Sequence, residues 1–252
     1  MDVLAGARSP FPRPQKYVLP LLEAKRETPT ATTFRFSTEA TGFRYRSNQA
    51  IRLALPGVED PWGAVRAFSL SSSPSEADQI SVTCRISDTP FKQALARLRP
   101  GEPAEVYGPL GTFLYDPTRP AIFLAGGIGI TPFRGMLRYA ADTGAAAERR
   151  LLYSARTPEE IVFRTELDEL ARSDPRLRVH YTVTRPAESE AVWDGRVGRI
   201  TPAWIEEVAT SLPSAKFYVA GLPEMVEEMV STLGGRGGVP PADVLFEMFR
   251  GF

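Results

Sequence analysis

The chain has 252 residues, enough for one large domain or two ordinary ones, and its 43% hydrophobic and 24% charged residues are the proportions of a soluble globular protein. Thirty basic and thirty acidic side chains cancel, so no net field draws the protein toward nucleic acid or an anionic membrane. A single cysteine, Cys84, and a single histidine, His180, exclude an internal disulfide, a Cys/His zinc site and a four-thiolate iron–sulfur cluster. Redox chemistry would have to reside in an organic cofactor.

Residues 1–15 contain no apolar core of signal-peptide length, and no run of about 18 uncharged apolar residues occurs anywhere. The expectation is a cytoplasmic protein without a membrane span.

In chain order, the first half reads as short strands at 17–24, 32–36, 50–55, 67–70, 80–85 and 104–107. They are β-branched or aromatic, partly alternating, and separated by turn-rich stretches such as 56–61. Closely spaced strands with little helix between them predict an antiparallel barrel or sandwich. One helical pattern interrupts them at 90–98, with Phe91, Leu95 and Leu98 on one face.

The pattern changes near 116–120, and strands and helices then alternate. Strands are expected at 121–125, 151–154, 177–184, 217–220 and 244–249. Helices are expected from Pro132 to about Asp142, from Thr157, from Thr201 and at 223–233. Thr157-Pro158-Glu159-Glu160 has the form of a capping box opening a helix. Such alternation implies a parallel sheet with helices on both faces and ligand sites at the carboxyl ends of its strands. The expected plan is β + α/β: an N-terminal antiparallel Greek-key β-barrel in 1–117, then a parallel-sheet Rossmann-like nucleotide-binding domain in 118–252.

Two motifs carry chemistry. In Phe123-Leu-Ala-Gly126-Gly127-Ile-Gly129-Ile-Thr131-Pro132 an apolar strand runs through three glycines into a helix start. Glycine allows a tight turn and close backbone approach, and a helix N-terminus presents free N–H groups and a positive dipole end to a pyrophosphate. In Arg66-Ala-Phe68-Ser69-Leu-Ser-Ser72 an arginine can clamp a phosphate, an aromatic ring can stack on a flavin or adenine, and a serine can bond a ring nitrogen. A plain barrel strand with a surface arginine is the alternative for this second motif taken alone.

These two motifs combine with Gly108-Pro109-Leu110-Gly111-Thr112-Phe113 and Tyr218-Val-Ala220-Gly221-Leu-Pro223-Glu-Met225. Their order, spacing and barrel-then-sheet plan, from about Tyr17 to Phe252, resemble the ferredoxin–NADP reductase-like superfamily. The resemblance implies an NAD(P)H-dependent flavoprotein reductase. Hydride would pass from NADPH or NADH to bound FAD, and electrons then to a ferredoxin, a flavodoxin, an oxygenase component or a small acceptor. It implies that Arg66 binds flavin phosphate, that Ala67 and Phe68 contact the cofactor, and that Ser69 lies near the flavin N5. Thr83 and Arg85 on the neighbouring strand join the cofactor site. Pro90, Phe91 and Lys92 put a helix start beneath the FAD pyrophosphate, favouring FAD over FMN although the family's paired glycines are missing there. Gly126, Gly127, Gly129, Thr131 and Pro132 receive the nicotinamide nucleotide beside Ala220 and Gly221, and backbone amides after Gly108 and Gly126 hold cofactor phosphates.

The chain departs from the family where Ala220 stands in place of a cysteine, and where 45–49 lacks the usual Pro-Gly before Gln49. The aromatic end suggests Phe252, or alternatively Phe249, as a ring covering the flavin, with Glu247 as a proton relay; an edge strand burying Phe246 and Met248 is the competing reading. Ser154, Arg156, Thr184 and Arg185 follow the second and third strands of the sheet, where no acid replaces them, and lean toward NADPH. His180 reads as a solvent-facing or locally satisfied residue, Glu159–Glu160 and Glu227–Glu228 as helix surface charge, Cys84 as a small core or edge residue, and the tryptophans as packing. A non-catalytic flavin- or nucleotide-binding sensor or scaffold module is the alternative function.

Overall fold

The computed structural model describes residues 13–235 and 237–249. Six antiparallel strands come first: β1 (Gln15–Arg26), β2 (Ala31–Ser37), β3 (Ala50–Ala54), β4 (Val65–Ser69), β5 (Gln79–Arg85) and β6 (Pro103–Leu110). Their alternation sends Leu19, Phe34, Phe36, Ile51, Leu53 and Val106 inward, all without solvent exposure, as a pleated strand with one buried face requires. The spatial order β4-β3-β6-β1-β2-β5 carries β6 back between β3 and β1. A bridge between Leu70 and Val82 joins the two end strands. The sheet therefore curls into a nearly closed barrel, leaving little free edge.

Helix α1 (Pro90–Arg97) plugs the barrel with Phe91 and Leu95. Its start has the residues such an end requires. Thr89 accepts from the Lys92 amide, and Pro90 needs no amide partner.

The second sheet is wholly parallel. Its strands are β7 (Ala121–Gly126), β8 (Arg149–Ala155), β9 (Leu177–Val183), β10 (Arg196–Val197), β11 (Lys216–Gly221) and β12 (Val244–Met248), in the order β10-β9-β8-β7-β11-β12. Helices α2 (Ile130–Asp142) and α3 (Arg164–Ser173) cover one face through Phe133, Met136 and Leu167. Helices α4 (Pro202–Thr210) and α5 (Pro223–Gly234) cover the other through Trp204, Ile205 and Met229. Strand order reverses between β7 and β11, the position where open α/β sheets take ligands.

Two expected starts are corrected. Thr157 makes no cap hydrogen bond, and 158–160 form one 3₁₀ turn. Helix α3 begins only at Arg164, after Phe163 in the left-handed region with φ 62°. Burial of Ile161, Val162 and Phe163, with the Val162 amide donating to Tyr153 Oη at 3.1 Å, pulls the chain into the core and outweighs the local capping signal. Helix α2 likewise starts at Ile130, because Gly127–Gly129 already form a 3₁₀ turn. Thr131 thus lies inside its first turn.

The two sheets meet through α2. Arg134 bonds both carboxylate oxygens of Glu76, at 2.6 and 3.1 Å, and the Ser71 carbonyl at 3.1 Å, all on the barrel side. It also pairs with Glu166 of α3 at 2.8 Å. Phe113 packs against Phe133 and Tyr218, and its carbonyl accepts from Asn48 Nδ2 at 2.7 Å.

Candidate functional site

A cleft of about 660 Å³ lies where the carboxyl ends of the parallel strands face β4, β5 and α1, a volume ordinary for a cofactor site. From the barrel, Arg66, Ala67, Phe68, Ser69, Thr83, Cys84, Arg85 and Lys92 line it. From the parallel sheet come Gly126, Gly127, Thr131, Ser154, Arg156 and Thr184, together with Phe249.

Arg66 is nearly buried on β4. Its Nη1 donates to the Trp62 carbonyl at 3.0 Å and to that of Gly63, and its Nη2 stands 2.8 Å from Asp60 Oδ1. Burial pushes the Asp60 carboxyl up. Amide donors from Phe91 and Trp62 and the Arg66 guanidinium more than offset that and hold it below the usual carboxylate range. The Arg66 Nε is buried without a hydrogen-bond partner. Next to it runs a column of cations and rings. Arg66 lies 5.1 Å from the Phe91 centroid, Phe91 stacks on Phe68 at 6.3 Å, and Lys92 Nζ lies 4.7 Å from the Phe68 centroid. An orphaned guanidinium nitrogen and a lysine with no ion pair among the described residues fit the pyrophosphate of FAD.

The start of α1 differs from its expected part. Pro90 and Phe91 do not line the cleft. The Phe91 amide donates to Asp60 Oδ2 at 2.9 Å and the Lys92 amide to Thr89 at 3.4 Å. Asp60 and Thr89 have taken the free amides, so the Lys92 side chain alone represents this helix in the cleft.

At the inner end, Ser69 Oγ donates to Glu247 Oε2 at 2.7 Å. Burial pushes the Glu247 carboxyl up, and the Ser69 hydroxyl offsets only part of it. Glu247 stands opposite Ala220 in the β11–β12 register. Phe249 reaches the cleft next to it, its amide held by the Gly221 carbonyl at 2.8 Å. Phe252 lies outside the described residues. Phe246 is 48% exposed on the edge strand, so the reading that buries it fails.

The glycine turn serves two purposes. Gly127 takes φ +52° and faces the Arg85 guanidinium across the cleft. Gly129 does not touch the cleft. A Cβ there would run into the carbonyl of Ala220, so this glycine lets α2 approach β11. Pro132, Ala220, Gly221, Arg185 and Glu247 also stand outside the lining, Glu247 behind Ser69, and 108–113 contributes nothing to it; Phe113 makes the contact between the two sheets.

Four acids and one arginine were not expected here. Glu160 pairs with Arg85 at 3.0 Å, tying the two sides of the cleft together. Glu224 and Glu228 line the cleft. Glu188 pairs with Arg156 at 2.5 Å and with Arg185 at 3.0 Å, so an acid does stand between the two arginines. Arg199 lines the cleft with no ion-pair or hydrogen-bond partner among the described residues. The usable signal was position: Glu160 and Arg199 closely follow parallel strands at the end where such sheets bind ligands. His180 is half-buried, edge-on to Trp204 at 6.4 Å, its pKa lowered by burial and by neighbouring arginines. Among the described residues no His/Cys/Asp/Glu group could hold a metal, and no helix is long and apolar enough to cross a membrane.

Comparison with known proteins agrees with this geometry. A family model for the oxidoreductase NAD-binding domain matches residues 123–231. Ferredoxin–NADP reductase B of Sorangium cellulosum is 34% identical over 220 residues, covering 84% of this chain and 88% of that protein. A glycine betaine monooxygenase reductase subunit of Chromohalobacter salexigens is 29% identical over 234 residues, 86% of this chain and 63% of that protein. In fold, the chain is similar to a ferredoxin NADP+ reductase of Neisseria gonorrhoeae solved with FAD and NADP, at a TM-score of 0.75 and 24% identity over 94% of this chain and 99% of that one. Barrel, parallel sheet and shared cleft define a class of two-cofactor flavin reductases. The chain belongs to the ferredoxin–NADP reductase-like superfamily. Its activity is that of an NAD(P)H-dependent flavin oxidoreductase using FAD.

Proposed function

We propose that this chain draws hydride from NAD(P)H at the Ser69–Glu247 end of the cleft and supplies single electrons to a carrier protein, a ferredoxin, a flavodoxin or an oxygenase component. The names of its relatives support a ferredoxin or an oxygenase component as the acceptor. The observation that carries the reading is the Ser69–Glu247 hydrogen bond, which ties β12 to β4 directly behind Ser69, a residue lining the cleft where the two cofactors would meet.

FAD, when bound, supplies hydride acceptance and stepwise electron release. The chain's own groups bind, orient and exclude water. Arg66 Nε and Lys92 hold phosphate, and Asp60 keeps the guanidinium fork in place. Ser69 Oγ offers a hydroxyl to the reacting edge, and Glu247, with its raised pKa, holds or returns a proton through that hydroxyl. Phe249 screens this end from water. The proposed division is a flavin-binding unit in 1–117 and an NAD(P)-binding unit in 118–252. It is supported by the antiparallel strands ending at Leu110 and the parallel ones beginning at Ala121. A cytoplasmic setting suits the free thiol of Cys84.

Anaerobic titration with NADPH and then NADH, followed at about 450 nm where oxidised flavins absorb, tests the reading. Bleaching by either donor is expected. Nucleotide binding without bleaching would instead make the protein a sensor or scaffold module.

A further inference from the structure

Beside the nucleotide end of the cleft, one carboxylate outside its lining holds two arginines, of which Arg156 lines the cleft and Arg185 does not. Glu188, in the 3₁₀ turn Pro186–Glu188 after β9, pairs with Arg156 through Oε2 at 2.5 Å and with Arg185 through Oε1 at 3.0 Å. Arg156 follows β8 and lines the cleft, as do Ser154 and Thr184. In parallel sheets of this kind the ends of these strands meet the adenosine ribose. An acid there accepts from the 2′-hydroxyl of NADH, and an arginine accommodates the 2′-phosphate of NADPH. This chain has both groups, already paired with each other.

We propose that Glu188 sets the choice between NADH and NADPH, acting as a built-in competitor for the two arginines that would grip a 2′-phosphate; this rests on the nucleotide reading given above. With NADH the carboxylate keeps its arginines and accepts from the ribose hydroxyl. With NADPH the phosphate must displace it, because two anions cannot share one side of the same guanidinium pair. The exchange is easy. The side chains of Arg156, Arg185 and Glu188 are 50%, 57% and 41% exposed, and such pairs are only weakly held. The protein is therefore a dual-donor enzyme whose NADPH use is held down by its own acid.

The test uses the FAD-loaded full chain. Calorimetric titration with 2′,5′-ADP and 5′-AMP reads the ribose subsite without turnover, and kcat/KM for NADPH and NADH reads it with turnover. In Glu188→Gln, 2′,5′-ADP should bind up to about fivefold tighter, the scale of one exposed ion pair, while 5′-AMP does not gain. The NADPH/NADH ratio of kcat/KM should rise to match, with an unchanged thermal midpoint. In the double variant Arg156→Ala, Arg185→Ala, 2′,5′-ADP should lose its advantage over 5′-AMP. An unshifted ratio in Glu188→Gln, or both ligands changing together, overturns the proposal while flavin bleaching stays intact. A wild-type protein bleached by neither donor would overturn the underlying reading instead.

Discussion

Ser69 and Glu247 lie 178 positions apart on different sheets, yet the serine hydroxyl donates to the carboxylate at 2.7 Å. The pair exists only because β12 docks on β11 and brings Glu247 level with Ala220. Position 220, where relatives of this superfamily often carry a cysteine, here leaves room but no reactive group. Glu247 is thereby the titratable group that meets Ser69.

Glu247 titrates above its ordinary value of 4.5 in the folded protein, because burial disfavours its charge. Between that value and its raised one, the folded state binds more proton than the unfolded state. Stability contributed by this group is therefore greatest at low pH and is lost as pH rises through the raised value. Glu247→Gln should flatten this part of the curve of thermal midpoint against pH. It should also remove one ionisation from the pH profile of flavin reduction by NAD(P)H; a profile identical to wild type would speak against a proton role.

Arg66→Lys keeps the charge but gives up the planar fork and the orphaned Nε. FAD affinity should fall about tenfold or more, since a forked, charge-assisted contact is replaced by a point charge. Gel filtration followed by flavin absorbance of the protein peak would measure it. Circular dichroism should stay unchanged, because Asp60 still faces a cation.

Gly129→Ala sets a methyl group against the Ala220 carbonyl, where only backbone can move aside. Overpacking of this kind destabilises by about 1–3 kcal/mol. The denaturant midpoint should fall accordingly, and NAD(P)H binding should weaken with it because the displaced α2 carries Thr131.

Arg134→Leu leaves Glu76 and Glu166 facing each other without their shared cation. A loss of about 3 kcal/mol is expected, at the low end for a broken buried pair since the site keeps some water contact. Adding Glu76→Gln should restore part of it. Strict additivity of the two changes in urea unfolding would contradict the shared network.

Much of this protein could be read in the sequence because the decisive signals are local. Alternation in 15–26 and 31–37 fixes which side chains enter the barrel, and an apolar run ending in glycines marks β7 and its turn whatever surrounds them. The Arg66–Ser69 and Gly126–Pro132 motifs, with the family resemblance they support, located most of the cleft. Tertiary structure decided the rest, chiefly the electrostatics. Glu160, Glu188 and Glu228 look like surface charge in sequence, since a carboxylate's role depends on what faces it across tens or hundreds of residues. The turn at 157–160 shows the same limit: its capping residues are correct locally, but burial of 161–163 carries more free energy than one cap. Strand order, set by how two hydrophobic faces close over each other, chose the partners that turn these side chains into a site.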